Sequence, residues 1–467
     1  MASLAGLLRE KGHEVSGSDQ DVYPPMSTQL AALGIPVLSP YAESNVPADA
    51  DLVVIGNALS RGNPEVEVVL DRGQRYTSLP ALLADEFIRG RISVVVAGTH
   101  GKTTTTTLAA FLLDRAGLKP SFLIGGVPND FTHSYRLAPG RHFVVEGDEY
   151  DCAFFDKRPK FLHYLPDIAV IGNLEFDHAD IYPDLASVET AFRRLVDIVP
   201  RRGLLVAGIE SPALAPIVGR ARCRVETFAI DVAADWRAVE IETGQRGARF
   251  RLLRGGADAG VCELALHGRH NVRNALAALA LANAAGVGLE SAREALAHFS
   301  GVKRRLELVG RARGVAVYDD FAHHPTAVRE TLLALRAREA AALAGGRLLA
   351  VFEPRSYTSR TTIFESGFAE AFTVADEVIV SAAHLPGKVP EALRLSEQGL
   401  VEAIRRAGGR ASLVPRVDDI VAHLASEVRP GDVVAVLSNG GFGGIHGRLI
   451  EALLAGPESG LPGGAVS

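Results

Sequence analysis

The stretch that decides the fold is residues 94–117, VVVAGTHGKTTTTTLAAFLLDRAG. It opens on consecutive apolar residues that predict a buried strand. From residue 108 onward, apolar side chains fall on one face of a helix that Gly117 ends. Two glycines, a lysine and five threonines, residues 103–107, lie between the strand and the apolar part of the helix. Threonine is a poor helix former, so five of them at a helix start need a physical reason.

A phosphate-binding loop supplies that reason. In such a loop the backbone amides and the helix N-terminus face the nucleotide phosphates, a lysine reaches the β and γ oxygens, and a hydroxyl binds Mg²⁺. Threonine hydroxyls in the first turn add phosphate donors, and we expect the lysine to face the ligand, not the core. The alternative is a Thr-rich strand or surface turn, and Val96 stands where the first motif glycine belongs. The strand before and the helix after favour the loop, with these residues on the nucleotide: Gly98, Thr99, Gly101, Lys102, Thr103 and Thr104.

The rest of the 467-residue chain reads as further α/β structure. Strand-like runs alternate with helical segments, which predicts parallel sheets whose functional loops converge at the carboxyl ends of the strands. We predict three regions, residues 1–90, 91–306 and 307–456, and a disordered tail over 457–467. We also predict a strand within HEVSGSD (13–19) and one helix over 327–344.

Composition excludes several classes of protein. The net charge of −6 gives no indication of nucleic-acid binding. No apolar run approaches the roughly 18–20 residues that cross a bilayer, and the amino end lacks the pattern of a signal peptide. The three cysteines are far apart and form neither a disulfide framework nor a zinc set, so we expect reduced thiols in a cytoplasmic protein.

Five motifs follow in order: GTHGKTTTT (98–106), VVEGDEYD (144–151), GNLEFDHAD (172–180), GRHNVRNALAALA (268–280) and YDDFAHHPTA (318–327). Together they resemble the Mur ligase superfamily, the ATP-dependent amide-forming enzymes of peptidoglycan assembly. The resemblance covers nearly the whole chain. It implies an N-terminal Rossmann-like UDP-binding domain, a central P-loop ATPase-like domain and a C-terminal Rossmann-like domain. It also implies that ATP activates a carboxylate as an acyl phosphate, which an amine then attacks.

Other segments indicate the branch. The double histidine of DDFAHHPT and the loop GTHGKTTTT are typical of the muramate-accepting ligases. The segments GGVPNDF (125–131), FEPRSYTSR (352–360) and SNGGFGGIHGRL (438–449) resemble members that recycle peptidoglycan. Those members join the tripeptide L-Ala-γ-D-Glu-meso-diaminopimelate to UDP-N-acetylmuramate.

Three alternatives stay open. The first is a ligase that adds L-alanine to UDP-N-acetylmuramate. The second, folylpolyglutamate synthetase, shares the fold, but no further motif supports it. The third, from another class, is a P-loop regulatory or transport ATPase. The Asp-Asn-Pro-Arg motif of the ligases that add single diaminopimelate residues is absent from the sequence.

The resemblance assigns two magnesium ions. Thr103 and Glu146 match ligands of the nucleotide-bound ion, and His178 matches a ligand of a second ion beside the substrate carboxylate. Asn173 would position the phosphates, and Asp148 and Glu149 are secondary candidates for the metal site. The alternatives are a solvent-facing strand end for Glu146 and a cap or core role for His178, since imidazole is an unusual Mg²⁺ ligand.

The resemblance also implies which residues bind the remaining parts of ATP and the other substrates. For the adenine and phosphates the residues are His270, Asn271 and Asn274, for the ribose Asp320, and for the phosphate side His323. Arg305, at the joint between the second and third regions, is a further ATP-binding candidate. Helix capping is the alternative for the asparagines, and a solvated turn for Arg305. Arg355 is a candidate for the γ-phosphate or a peptide carboxylate, and Asp19 for the other substrate.

Two departures from the family pattern stand out. No lysine lies between Lys160 and Lys303, so we expect no carbamylated lysine at the second metal ion. The chain opens directly on the helical MASLAGLLREKGHEV, whereas a UDP-binding unit opens on a strand and a glycine turn. We expect that about 15 residues are missing there, leaving an exposed apolar groove and weak UDP-N-acetylmuramate binding. No obligate protein partner is evident.

Overall fold

The computed structural model describes residues 1–22, 26–385 and 389–456. The tail predicted to be disordered, 457–467, lies outside the described residues. Across the described ranges, we find no helix with both the length and the apolar character that a bilayer crossing requires.

The N-terminal part has short strands in two separate parallel pairs. Strand β1 (Gly17–Ser18) pairs with β2 (Val37–Leu38), and β3 (Val53–Ile55) pairs with β4 (Tyr76–Ser78). The strand predicted within HEVSGSD is thus limited to two residues. The helices of this part are α1 (Ala2–Glu10), α2 (Met26–Ala32), α3 (Pro64–Asp71) and α4 (Leu79–Leu83). Helix α1 packs so closely that a β-carbon at Gly6 would clash with the ring of Tyr135.

A ten-stranded sheet, the central sheet, forms the middle of the described chain. Its order is β16-β15-β14-β13-β12-β11-β5-β8-β6-β7. The strands are β5 (Ile92–Ala97), β6 (Ser121–Leu123), β7 (Tyr135–Arg136), β8 (His142–Glu146), β11 (Ile168–Ile171), β12 (Leu204–Gly208), β13 (Arg224–Ala229), β14 (Trp236–Gly244), β15 (Gly247–Arg254) and β16 (Ala257–Leu264). A separate hairpin follows β8 and consists of β9 (Asp151–Ala153) and β10 (Asp156–Pro159).

Helices cover both faces of the central sheet. They are α5 (Lys102–Arg115), α6 (Leu185–Asp197), α7 (Ala215–Val218), α8 (Arg269–Ala284) and α9 (Leu289–Leu296). Helices α5, α8 and α9 share one apolar core, and α1, α4, α6 and α7 share the core on the other face. Strand β5 is flanked by β8 and β11, both parallel to it, with Val96 in register with Glu146 and Val170. The loops after these three strands therefore meet at one edge of the sheet.

A six-stranded sheet, the C-terminal sheet, has the order β17-β18-β22-β19-β20-β21, and β17 is its antiparallel strand. Its strands are β17 (Glu307–Ala312), β18 (Val315–Asp320), β19 (Leu348–Phe352), β20 (Glu377–Val380), β21 (Ala411–Leu413) and β22 (Val433–Leu437). Its helices are α10 (Pro325–Arg338), α11 (Ala340–Leu343), α12 (Glu365–Phe372), α13 (Glu397–Arg406), α14 (Val417–Glu427) and α15 (Ile445–Ala455). The predicted α/β class is confirmed.

The single helix predicted over 327–344 is wrong, because the helix breaks at Glu339. That residue has φ −103° and ψ 23° and separates α10 from α11. Its buried carboxylate accepts hydrogen bonds from Arg311 and from the hydroxyl of Tyr318. Alanine-rich sequence favours a continuous helix, but a buried carboxylate must keep its donors, so these tertiary contacts decide the local structure.

Candidate nucleotide and ligation site

The loop between β5 and α5 requires its glycines. Gly98 has φ +129°, and a β-carbon there would lie 3.0 Å from the amide nitrogen of Gly172. Gly101 has φ +80°, and a β-carbon there would clash with the side chain of Asn274. The amide of His100 donates to the side-chain oxygen of Asn173 at 2.8 Å, which ties the loop to the end of β11. The loop is therefore held in one conformation with its amides at the helix start.

The five threonines divide into two groups. The hydroxyls of Thr106 and Thr107 donate to the carbonyls of Lys102 and Thr103, at 2.8 and 2.7 Å, inside the buried helix. These two hydroxyls are thus satisfied by the helix itself. Phosphate binding can account only for the threonines of the first turn, so it explains part of the run.

The side chain of Lys102 is 13% exposed and contacts the phosphate loop and Glu149. Its expected contact with a ligand stays a prediction. Its Nζ donates to the carbonyls of Gly98 and Thr99, at 2.8 and 3.2 Å, and to Glu149 Oε1 at 2.9 Å. Burial alone would lower the pKa of Lys102, but Glu149 and Asp148 raise it above its usual value. The lysine is therefore a charged group held at the loop by carbonyl and carboxylate oxygens.

Thr103 and Glu146 form a compact oxygen set at the same edge. The hydroxyl of Thr103 donates to Glu146 Oε1 at 3.0 Å, and the amide of Gly125 donates to Oε2 at 2.9 Å. Burial raises the pKa of Glu146, against the lowering effect of Lys102 and these hydrogen bonds. The carboxylate points into the loop and not into solvent, and the oxygen donors suit Mg²⁺.

Glu149 joins Lys102 to His178. Its Oε1 lies 2.9 Å from Lys102 Nζ and 2.9 Å from His178 Nε2, and its side chain is 2% exposed. The backbone of His178 is left-handed, with φ +56°, and its amide donates to Asp177 Oδ1 at 2.7 Å. Burial lowers the pKa of His178, but the hydrogen bond to Glu149 and the charge of Asp177 raise it overall. From the sequence, Glu149 is only a secondary candidate for the metal site. The acidic residues of GDEYD (147–151) are the signal that could point to it.

The donor set fits a divalent cation. No hydrogen-bond partner for Glu149 Oε2 is found among the described residues, although the atom is buried. An unpaired buried carboxylate oxygen is costly, so it marks a place where a cation or donor completes the site. Together with the oxygens of Thr103 and Glu146 it is the kind of ligand that Mg²⁺ takes.

The structure brings the start of α8 to the phosphate loop. The side chain of Asn274 lies against Gly101 and donates to Asn271 Oδ1 at 3.0 Å. Asn271 in turn donates to the carbonyl of His267 at 2.8 Å. Gly268 occupies the N-cap position, so neither asparagine is the cap of this helix. His270 Nδ1 lies 3.5 Å from Glu330 Oε2, on the side facing α10.

Asp320, His323 and Arg305, which are expected to meet the nucleotide, each contact other atoms of the protein. Asp320 is buried and accepts from the amides of Leu306 and Ala322, at 2.7 and 2.8 Å. His323 Nδ1 lies 2.9 Å from the carbonyl of Phe321, and Arg305 lies over the Phe321 ring at 5.0 Å. The ribose and phosphate roles of these side chains stay predictions.

We expect Asp320→Ala to lower the stability of the C-terminal part by about 2 kcal/mol or more, since two buried amides lose their acceptor. Thermal unfolding measures this loss. Asp320→Asn is the milder comparison, because its one side-chain oxygen can still accept from one of the two amides. If ATP affinity is unchanged in Asp320→Ala at a temperature where that variant is folded, the ribose role is wrong.

The C-terminal part docks on the segment that carries His178. Thr358 Oγ1 donates to Asp177 Oδ1 at 2.6 Å, and Thr326 Oγ1 donates to Glu175 Oε2 at 2.6 Å. His324 Nε2 lies 3.2 Å from the carbonyl of Phe176. Burial raises the pKa of Asp177, but neighbouring histidines outweigh this and hold the pKa well below its usual range. Sequence reasoning missed these cross-domain contacts.

Because this docking positions His178, we expect Thr358→Val to lower kcat/KM for ATP by about tenfold. That is about 1.4 kcal/mol, near the lower end of the roughly 1.5–3 kcal/mol that a hydrogen bond to a charged group contributes. Thr373→Val, at an exposed hydroxyl, is the matched control. Steady-state kinetics on both variants test this. Equal kcat/KM values would mean that the contact does not position the site.

Two further predicted residues contact other side chains of the protein. Asp19 is exposed in the N-terminal part and accepts from the hydroxyl of Tyr41 at 3.3 Å. Arg355 packs against Gly440, and its Nη1 lies 3.8 Å from Glu353 Oε1. Their substrate roles stay predictions.

A cavity of about 390 Å³ adjoins Glu149. The hairpin β9–β10, the turn after His178 and helix α6 surround it. Its polar lining includes Asp151, Lys157, Tyr182, Thr190 and Arg194.

Comparison with known proteins agrees with this geometry. Three family models match: "Mur ligase family, catalytic domain" over residues 1–89, "Mur ligase middle domain" over 96–282, and "Mur ligase, glutamate ligase domain" over 304–440. The chain is 43% identical to the UDP-N-acetylmuramate–L-alanyl-γ-D-glutamyl-meso-2,6-diaminoheptandioate ligase of Escherichia coli K12, over 97% of this chain and 96% of that protein.

A second curated protein and a solved structure are also similar to this chain. A UDP-N-acetylmuramate–L-alanine ligase of Anaeromyxobacter is 38% identical, over 94% of this chain and 92% of its own. The crystal structure of a murein peptide ligase from Psychrobacter arcticus is 38% identical with a TM-score of 0.73, over 97% of this chain and 96% of that chain. The three-domain architecture expected from the motifs is confirmed. The chain belongs to the Mur ligase family, whose members are ATP-dependent ligases that form carbon–nitrogen bonds.

Proposed function

We propose that this protein joins the tripeptide L-Ala-γ-D-Glu-meso-diaminopimelate to UDP-N-acetylmuramate, with release of ADP and phosphate. The observation that carries the proposal is the Lys102–Glu149–His178 group, centred on the buried Glu149, beside the Thr103–Glu146 pair. This arrangement provides one cation and several metal-binding oxygens where a triphosphate and a carboxylate must approach each other. Full-length similarity to the E. coli tripeptide ligase supports the choice of acceptor.

Acyl-phosphate formation requires that a negatively charged carboxylate approach the negatively charged triphosphate of ATP. A carboxylate repels a triphosphate, so the barrier falls only where positive charge is fixed between them. Mg²⁺ bound at Thr103 and Glu146, and a second ion at His178, would supply that charge. Lys102 would exchange Glu149 for the phosphate oxygens. The residues thus hold the γ-phosphoryl group near the substrate carboxylate, which becomes the acyl phosphate that the peptide amine attacks.

Both ions would be held without a carbamylated lysine, because residues 161–302 contain none of the seven lysines. Asn173, His270, Asn271 and Asn274 would surround the nucleotide, and the C-terminal part would close over it through Asp320, His323 and Arg305. The domains we propose are residues 1–90 for UDP-N-acetylmuramate, 91–306 for ATP and 307–456 for the peptide. The setting would be the bacterial cytoplasm, with no nucleic-acid or obligate protein partner.

Release of ADP tests the proposal. We expect release only when ATP, Mg²⁺, UDP-N-acetylmuramate and the tripeptide are all present. A P-loop regulatory or transport ATPase would release ADP without UDP-N-acetylmuramate, and that result would contradict the proposal. Release that requires UDP-N-acetylmuramate and L-alanine, with no response to the tripeptide, would identify the alanine-adding alternative.

A further inference from the structure

Glu149 is placed unlike the other acids at the edge of the central sheet. Glu146 uses both its oxygens, on Thr103 and on the amide of Gly125. Asp148 pairs with Lys160 Nζ at 2.6 Å. Glu149 uses only Oε1, while Oε2 is buried with no partner among the described residues. The polar requirements of Glu149 are therefore incomplete in this state of the protein.

The approach of a triphosphate makes this deficit larger. Among the described residues, the side chains of Lys102 and His178 lie within hydrogen-bonding distance of Glu149 Oε1. Lys102 must leave the carboxylate to bind phosphate. Glu149 would then keep only His178, with a buried negative charge and two unfilled oxygen positions. Burying a carboxylate without a compensating charge is strongly unfavourable. A second cation at this point removes the deficit.

The geometry suits a shared ion. Two neighbouring ligands of an octahedral Mg²⁺, each about 2.1 Å from the metal, lie about 3 Å apart. Glu149 Oε1 and His178 Nε2 are 2.9 Å apart. Imidazole alone is a poor Mg²⁺ ligand, whereas a carboxylate is a good one. Glu149 is also one of the residues that line the neighbouring cavity of about 390 Å³.

We propose that Glu149 is a ligand of the second magnesium ion, which it binds together with His178 after it releases Lys102 to the phosphates. Glu146 serves the first ion and Glu149 the second, so the two acids divide the two cations. Glu149 therefore has two successive partners, a lysine in the resting protein and a metal ion in the loaded one. This inference rests on the proposed two-ion site, but not on the identity of the peptide.

Counting bound Mn²⁺ tests the proposal. We would titrate Mn²⁺ by electron paramagnetic resonance into the full chain, saturated with a non-hydrolysable ATP analogue and UDP-N-acetylmuramate. We expect two ions in the wild type and in Glu294→Gln, the control at an exposed acid outside the site. Glu149→Gln keeps the shape but not the charge, and we expect it to bind one ion. Thermal unfolding verifies that each variant is folded.

The outcomes separate the two claims. Two ions in Glu149→Gln, with affinities within twofold of the wild type, overturn the role of Glu149. One ion in the wild type overturns the two-ion site itself, and this inference with it. If Glu149→Gln does not fold, Glu149→Asp decides. Its shortened carboxylate is expected to weaken binding of the second ion at least tenfold and to leave binding of the first ion unchanged. If Glu149→Asp binds both ions as tightly as the wild type does, the proposal is overturned.

Discussion

Lys102→Ala is expected to reduce the rate of ligation by at least 10²–10³-fold, the order of magnitude lost when one preorganised electrostatic donor is removed. The lysine is the cation at the phosphate loop, held there by two backbone carbonyls and Glu149. Without it, the helix start loses one of the positive groups that balance the charge developing on the γ-phosphoryl group. Product formation measured with saturating ATP, Mg²⁺ and both acceptors gives the loss.

Stability should fall as well, since the variant leaves Glu149 as an uncompensated buried charge. Breaking a buried pair by removing one partner costs about 3–5 kcal/mol. The double variant Lys102→Ala/Glu149→Gln removes that charge and should recover much of the stability but none of the activity. Lys119→Ala, at an exposed lysine, is the control for loss of a positive charge. Activity within tenfold of the wild type in Lys102→Ala would contradict the phosphate-loop role.

His178→Asn is expected to lower turnover by about 10²-fold at ordinary Mg²⁺ concentrations and to raise the Mg²⁺ concentration needed for half-maximal rate. Asparagine tolerates the left-handed backbone at this position, where alanine would add strain. The side chain loses the imidazole that faces Glu149, so the second ion loses a ligand. Affinity for the ATP analogue should change little, because the Thr103–Glu146 pair is intact.

A Mg²⁺ titration of the rate, paired with calorimetry of ATP-analogue binding, separates these effects. His298→Ala, at an exposed histidine, is the control. An unchanged Mg²⁺ dependence would make His178 a structural residue. A large loss of ATP-analogue affinity with an unchanged Mg²⁺ dependence would instead place it at the nucleotide.

Local sequence predicted the centre of the site because its geometry follows from a parallel sheet. The apolar run of β5, the glycines of the loop and the apolar face of α5 define a strand, a turn and a helix. Strand β8 ends on Glu146, beside the end of β5, so an acid after one strand meets a threonine after the other. Adjacent carboxyl ends make such a contact predictable.

The other contacts of the site could not be predicted, because they depend on packing between segments that are far apart in the sequence. Nothing in the sequence shows that Glu149 rather than Asp148 faces Lys102, because the two acids are adjacent and differ only in the direction they point. The bond between Thr358 and Asp177 joins residues 181 positions apart. Asp320 is recognisable from its motif, yet its partners are backbone amides that only the folded chain brings to it.

The acceptor that is joined to UDP-N-acetylmuramate distinguishes a tripeptide ligase from an L-alanine ligase. The most direct measurement is a competition in which the protein receives ATP, Mg²⁺ and UDP-N-acetylmuramate with equal concentrations of L-alanine and the tripeptide, and mass spectrometry identifies the products. We predict that the tripeptide conjugate is the main product at early times and that its amount matches the ADP released. An L-alanine conjugate as the main product, or ADP without either conjugate, would contradict the account.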